Sequence, residues 1–240
     1  MSLTYKTTIF RRKLWVTNKP VMLQRGLKEG IDDLVQLARN EDKESSWIYS
    51  HDENKWYNFS SSFLDEHYGE NGVYYPGGVV TYPFGLINKG RKVTHYHTHT
   101  KKGVEKTVKK VIEELYAEGI EFSQESLISL EKVLLKNSYL QAMFPSEGDI
   151  ETYLGMLGDN PRVDLDFEIV SPFFISNINL DPSQNIDETV QRYIQIIPHL
   201  KEGFCFDDYA QSPLVQLAKE NCERINQNNI GLRMKLDCLN

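Results

Sequence analysis

The chain has 240 residues, 27 Lys plus Arg against 34 Asp plus Glu, and a formal charge of −7. That length fits one large domain with room for an insertion, and 40% hydrophobic with 25% charged residues describe a chain able to bury a core. The acidic balance excludes a general nucleic-acid binder, whose footprint is basic.

No apolar run approaches the length that spans a bilayer. The N-terminal stretch MSLTYKTTIFRRKLWVTNKP lacks a long apolar region followed by a small-residue cleavage site. Cys205, Cys222 and Cys238 form no CxxC pair and make a poor disulfide framework. A cytoplasmic protein without membrane or nucleic-acid partners is expected, and export by a signal-independent route is compatible with the same features.

In chain order, Thr7 to Val16 reads as a strand. Leu23, Leu27, Ile31, Leu34, Val35 and Ala38 recur at helical spacing and predict a helix over 23–39. Ser45 to Ser50 and Lys55 to Phe59 read as short strands, joined by the turn residues His51-Asp52-Glu53-Asn54. Residues 60–78 suggest a long surface loop. Val79 to Ile87 is a strand candidate interrupted by Pro83 and Gly85, and Arg91 to Thr98 is another. Residues 104–143 read as a helical hairpin. Val104, Val108, Val111, Ile112 and Leu115 form one stripe; Leu127, Leu130, Val133 and Leu134 form the next. Gly119 ends the first helix and Ser123 caps the second. Pro145 to Leu157 is a short helix capped by Ser146. Asp164 to Leu180 gives one or two strands, and residues 181–212 look irregular. Pro213 to Asn226 is a helix with Pro213 in its first turn, and Ile230 to Leu236 is a closing strand. Strands interleaved with helices define an α/β or α+β fold.

The most informative stretch is Thr94-His95-Tyr96-His97-Thr98-His99-Thr100, which holds half of the six histidines. On a strand, alternate side chains share a face, so His95, His97 and His99 point one way. Imidazoles two apart can converge on one metal ion. A second segment, Phe144-Pro145-Ser146-Glu147-Gly148-Asp149, places a hydroxyl and a carboxylate one turn apart at a helix start. A cupin-like site would pair the histidines with Glu105, whose spacing in a helix start is awkward.

Together the two segments resemble the JAMM (MPN+) metalloprotease pattern, in which an upstream Glu is followed by HxHP and then SxxD. His97-Thr98-His99-Thr100 is similar to the HxHP segment, with Thr100 in place of proline, and Ser146 to Asp149 is similar to SxxD. The resemblance implies a JAMM/MPN-like mixed sheet flanked by helices. It implies Zn2+ held by His97, His99 and Asp149, with Glu44 as general base and Ser146 supporting the oxyanion. The activity implied is hydrolysis of an amide or isopeptide bond in a protein or peptide substrate, ubiquitin-like adducts included. Glu53, Glu66 and Glu70 are less well placed than Glu44 for the base. His95 lies outside the motif. The resemblance covers about residues 21–180 of a single domain over 1–240. A helical insertion at about 102–143 separates the two segments, and residues 181–240 form a C-terminal extension. The family's spacer is normally short, and the glycine often found after its Glu is absent here.

Two other readings remain open at this level. His95-Tyr96-His97-Thr98-His99 also spells the HxHxH of HIT-type nucleotide hydrolases and transferases, with the central histidine as nucleophile. A non-catalytic JAMM-like binding module would use Tyr74, Tyr75, Phe84 and the 104–143 hairpin as partner surfaces.

Overall fold

The computed structural model describes residues 25–58, 91–180, 185–202 and 213–239, with short pieces at 22–23, 60–61, 67–68, 74–75 and 79–80. In chain order, β1 (Met22–Leu23) precedes α1 (Leu27–Asn40), β2 (Ser46–Ser50) and β3 (Lys55–Asn58). Four two-residue strands follow: β4 (Ser60–Ser61), β5 (His67–Tyr68), β6 (Tyr74–Tyr75) and β7 (Val79–Val80). Then come β8 (Lys92–Thr98), α2 (Lys101–Ala117), α3 (Gln124–Ala142) and α4 (Glu147–Asp159). The chain continues through β9 (Asp164–Val170), β10 (Phe174–Leu180), α5 (Ile186–Glu202), α6 (Leu214–Gln227) and β11 (Leu232–Cys238).

Seven strands form one mixed sheet in the order β1-β3-β2-β8-β9-β10-β11. All neighbours are antiparallel except β8 and β9, which run parallel. A parallel neighbour demands a crossover connection, and residues 99–163 supply it with the α2–α3 hairpin and α4. The α+β class expected from the sequence is therefore the observed one, a mixed sheet with helices against it.

The period-2 alternation of the strands splits the core in two. Trp47 and Tyr49 of β2, Trp56 of β3 and Tyr96 of β8 pack on one face with Leu34, Val35 and Ala38 of α1. Ile48, Val93, Phe167, Ile169 and Ile178 pack on the other face with α4, α5 and α6, through residues such as Ile150, Tyr193 and Leu217. Every residue of β2 is buried, as suits a strand in the interior of the sheet.

On α1, Gly30 is buried against Trp56, and a Cβ there would lie 2.1 Å from the indole ring. Gly30→Ala gains about 1 kcal/mol of helix propensity but must displace a ring that is 1% exposed. We expect a net loss of about 1–3 kcal/mol by urea unfolding, the usual range for overpacking; an unchanged or raised midpoint would show that the α1–sheet contact is looser than described.

Three sequence expectations change. The first helix begins at Leu27 rather than near 23, because residues 22–23 pair with Trp56 and Tyr57 as a strand. Gly26 then caps α1, and its carbonyl accepts from the Trp56 indole. Residues 186–202, expected to be irregular, form α5. Its start is fixed by Asn185, whose carbonyl and side-chain oxygens accept from the amides of Thr189 and Glu188, and its inner face buries Thr189, Val190 and Tyr193. Pro182 and Pro198 obscured that periodicity. Within 60–80, read as loop and strand, β4 pairs with β7 and β5 with β6. The expected strand at 7–16, Glu66, Glu70 and all of 81–90, Phe84 included, lie outside the described residues. Among the described residues no helix is long and apolar enough to cross a membrane.

Candidate metal centre

Five side chains far apart in sequence meet at one end of β8. His97 sits on β8, opposite Ser46 of β2 and Ile169 of β9. His99 follows the last residue of β8, and its amide donates to the Val170 carbonyl, so the backbone stays in register beyond the strand. Thr100 then caps α2 by accepting from the Gly103 amide at 3.1 Å. The chain therefore turns from strand to helix immediately after the histidines.

Glu44 lies two residues before β2. The next residue, Ser45, is tied to Thr98 from both sides. The Ser45 amide donates to the Thr98 hydroxyl at 2.7 Å, and the Thr98 amide donates to the Ser45 carbonyl at 2.9 Å. This pairing brings the Glu44 carboxylate to the Nε2 side of His97, at 3.2 Å. The Glu44 side chain is 27% exposed, against 7% for His97, and Ser146 is exposed as well.

Ser146 and Asp149 arrive on α4 through a capping box. The Ser146 amide and hydroxyl both donate to Asp149 Oδ2 at 2.7 Å, and the Asp149 amide donates to the Ser146 hydroxyl at 3.2 Å. The other carboxylate oxygen, Oδ1, accepts from His97 Nδ1 at 2.6 Å. Asp149 Oδ2 stands 3.5 Å from His99 Nε2.

The segment leading into α4 is held by three buried side chains, one each from the end of β8, β10 and α5. His99 Nδ1 donates to the Ala142 carbonyl at 2.7 Å, Ser176 donates to that of Met143, and Tyr193 donates to that of Pro145 at 2.8 Å. A carbonyl can only accept, so the first of these bonds places a proton on Nδ1 of His99 and turns Nε2 toward the group. No sequence motif marks Ser176, Tyr193 or Thr98; their contribution follows from the topology alone.

Glu44, His97 and His99 each offer a ligand atom, and these atoms lie within 4.8 Å of one another. Two ligands on one tetrahedral ion, each at about 2.0–2.2 Å, stand about 3.3–3.5 Å apart. The 3.2 Å from His97 Nε2 to Glu44 is close to that spacing. Two imidazoles and a carboxylate on an otherwise buried surface suit a divalent transition metal.

The electrostatics fit a site that is protonated when empty of metal. Burial pulls the His97 pKa down, but the Asp149 carboxylate and its hydrogen bond, then Glu44, outweigh it and carry the pKa up to about 10. His99 is raised as well, with burial opposed chiefly by Asp149. Burial pushes Asp149 up, yet the two imidazoles hold it well below the usual carboxylate range.

His95 shares the inward face of β8 but is not part of this group. It is fully buried, its Nε2 bonds the Ser46 hydroxyl at 2.6 Å, and its ring lies 5.0 Å from that of Phe167. Burial, then His97, pull its pKa down to about 3, so it is neutral. Glu53 accepts from the Tyr57 hydroxyl instead of reaching the histidines, and Glu105 pairs with Lys101 and Tyr139 on the hairpin.

Compared with known proteins, the chain significantly matches no family model, no curated protein and no solved structure.

Proposed function

We propose that this chain is a zinc-dependent hydrolase of amide or isopeptide bonds in protein or peptide substrates, as the JAMM-type resemblance implies. The observation that carries the reading is the convergence of Glu44, His97, His99, Ser146 and Asp149, drawn from two sequence segments and an upstream acid, on one group in which His97, His99 and Asp149 are buried. A cytoplasmic setting belongs to the same proposal.

Zinc held there would supply a Lewis acid and lower the pKa of a water toward neutral. Of the two carboxylates beside His97, one completes the ligand set and the other serves the attacking water. The resemblance gives Asp149 the first task and Glu44 the second. As base, Glu44 takes the water's proton on a carboxylate oxygen and passes it to the leaving nitrogen. Its partial exposure, where His97, His99 and Asp149 are buried, supports a position facing the substrate. Ser146 supports the oxyanion once its hydroxyl turns from Asp149, a contribution of about 2.7–4 kcal/mol for donors of this kind.

The HIT-type reading is less well supported. Both nitrogens of His97, its would-be nucleophile, face carboxylates. A nucleotide phosphate would meet Glu44 and Asp149 there, and like charges repel.

The test is hydrolysis of a panel of peptides and isopeptide-linked conjugates. Activity should vanish with a chelator and return with zinc. Turnover indifferent to chelation, or nucleotide hydrolysis in its place, would refute the proposal.

A further inference from the structure

We infer that the carboxylate ligand of this metal site is Glu44, and that Asp149 is a positioning residue acting through His97. The inference rests on the zinc-hydrolase reading and departs from the resemblance by moving the ligand role from Asp149 to Glu44, with neither acid assigned as base.

A carboxylate has about four acceptor sites, two on each oxygen. Asp149 Oδ2 already accepts from the Ser146 amide and the Ser146 hydroxyl. Asp149 Oδ1 accepts from His97 Nδ1 at 2.6 Å. That separation is a charge-assisted hydrogen bond, and it is too short for two ligands of one ion, which stand about 3.3–3.5 Å apart. Three of the four acceptor sites of Asp149 are therefore taken by its own helix cap and by His97, and Oδ2 also stands 3.5 Å from His99 Nε2.

The same bond decides which nitrogen of His97 is free. With Nδ1 donating to Asp149, a neutral His97 has its lone pair on Nε2, which faces Glu44. His99 follows the same rule, with Nδ1 donating to Ala142 and Nε2 left to bind. Metal-bound histidines typically donate their second N–H to a carboxylate or a backbone carbonyl. Asp149 and Ala142 fill those two positions here. Among the described residues, Glu44 Oε2 meets His97 and accepts from neither a helix cap nor a backbone donor.

Zinc affinity measured by competition with a chromophoric chelator separates the two assignments. We expect Glu44→Gln to weaken binding by more than about 100-fold. Asp149→Asn should weaken it by about 10–100-fold, the usual effect of removing a ligand's hydrogen-bond partner. The inference is overturned if Asp149→Asn loses as much affinity as Glu44→Gln or more. It is overturned equally if Glu44→Gln binds zinc as the wild type does. In that case the wild-type and Glu44→Gln proteins still load zinc and the hydrolase reading stands, whereas a wild type that binds no zinc removes both. Circular dichroism of the metal-free variants checks that each folds. Should Asp149→Asn fail to fold, the cobalt-substituted Glu44→Gln protein decides: an altered visible absorption band supports Glu44 as ligand, and an unchanged band refutes it.

Discussion

We expect zinc uptake to fall by more than about 100-fold when His97 is replaced by alanine, since losing a ligand exceeds the 10–100-fold typical of losing an outer partner. On the proposed hydrolase reading, amide hydrolysis should fall to background with it. His97 is the hub of the group: one ring nitrogen bonds Asp149 at 2.6 Å and the other faces Glu44 at 3.2 Å. Its removal also leaves the Glu44 and Asp149 carboxylates without the imidazole that stands between them. The pH dependence of the wild type carries the same signature. The His97 pKa, normally near 6.5, is raised to about 10, because the two carboxylates outweigh the burial that opposes them. The imidazole is therefore protonated at neutral pH, and a metal must displace that proton to reach Nε2. Each displaced proton makes the apparent affinity rise about tenfold per pH unit below the pKa. Competition titrations between pH 6.5 and 7.5 check both points. An affinity independent of pH, or a His97→Ala protein that binds like the wild type, would contradict this account of the site.

Truncating Phe167 to alanine costs about 3–5 kcal/mol of stability, the usual range for a buried aromatic side chain. Phe167 is 1% exposed and lies on β9 as the parallel neighbour of His95. Its ring stacks on Tyr153 of α4 with centroids 5.1 Å apart, and it also meets the His95 ring at 5.0 Å. It thus joins the sheet to the helix that carries Asp149. The cavity left behind would border a neutral buried imidazole, whose Nδ1 has no partner among the described residues. Urea unfolding of the metal-free protein measures the loss without interference from bound zinc. A loss below about 1 kcal/mol would mean that α4 is held to the sheet by contacts other than this one.

Much of the fold could be read from periodicity. The strands expected over Ser45–Ser50 and Arg91–Thr98 and the hairpin chemistry of His51 to Asn54 correspond to β2, β8 and the β2–β3 turn. The helical hairpin corresponds to α2 and α3, with Ser123 as the expected cap. Helix α5 was not legible, because prolines at 182 and 198 break a pattern whose inner face is only a few residues wide. The start of α1 was misplaced for a different reason: Leu23 continues the helical spacing, and only tertiary pairing with Trp56 makes it a strand.

The candidate site divides in the same way. The resemblance carried by the HxH and SxxD segments brings His97, His99, Ser146 and Asp149 forward, and with them Glu44 as the upstream acid that the resemblance implies. Spacing cannot say which nitrogen of His97 faces which acid, since that depends on where α4 docks. Nor can it reveal the supports that dock α4, because Ser176 and Tyr193 act through single hydrogen bonds to backbone carbonyls and belong to no motif. His95, identical in type to its neighbours and on the same face, is set apart only by what packs on it.

The central claim is that this buried group holds one zinc ion. It is tested most directly by dialysing the purified chain against limiting free zinc and counting bound metal by mass spectrometry, beside a His97→Ala, His99→Ala double variant of equal helicity. The account predicts about one zinc per wild-type chain and none in the double variant. Equal metal content in the two proteins, whether none or one, would contradict it.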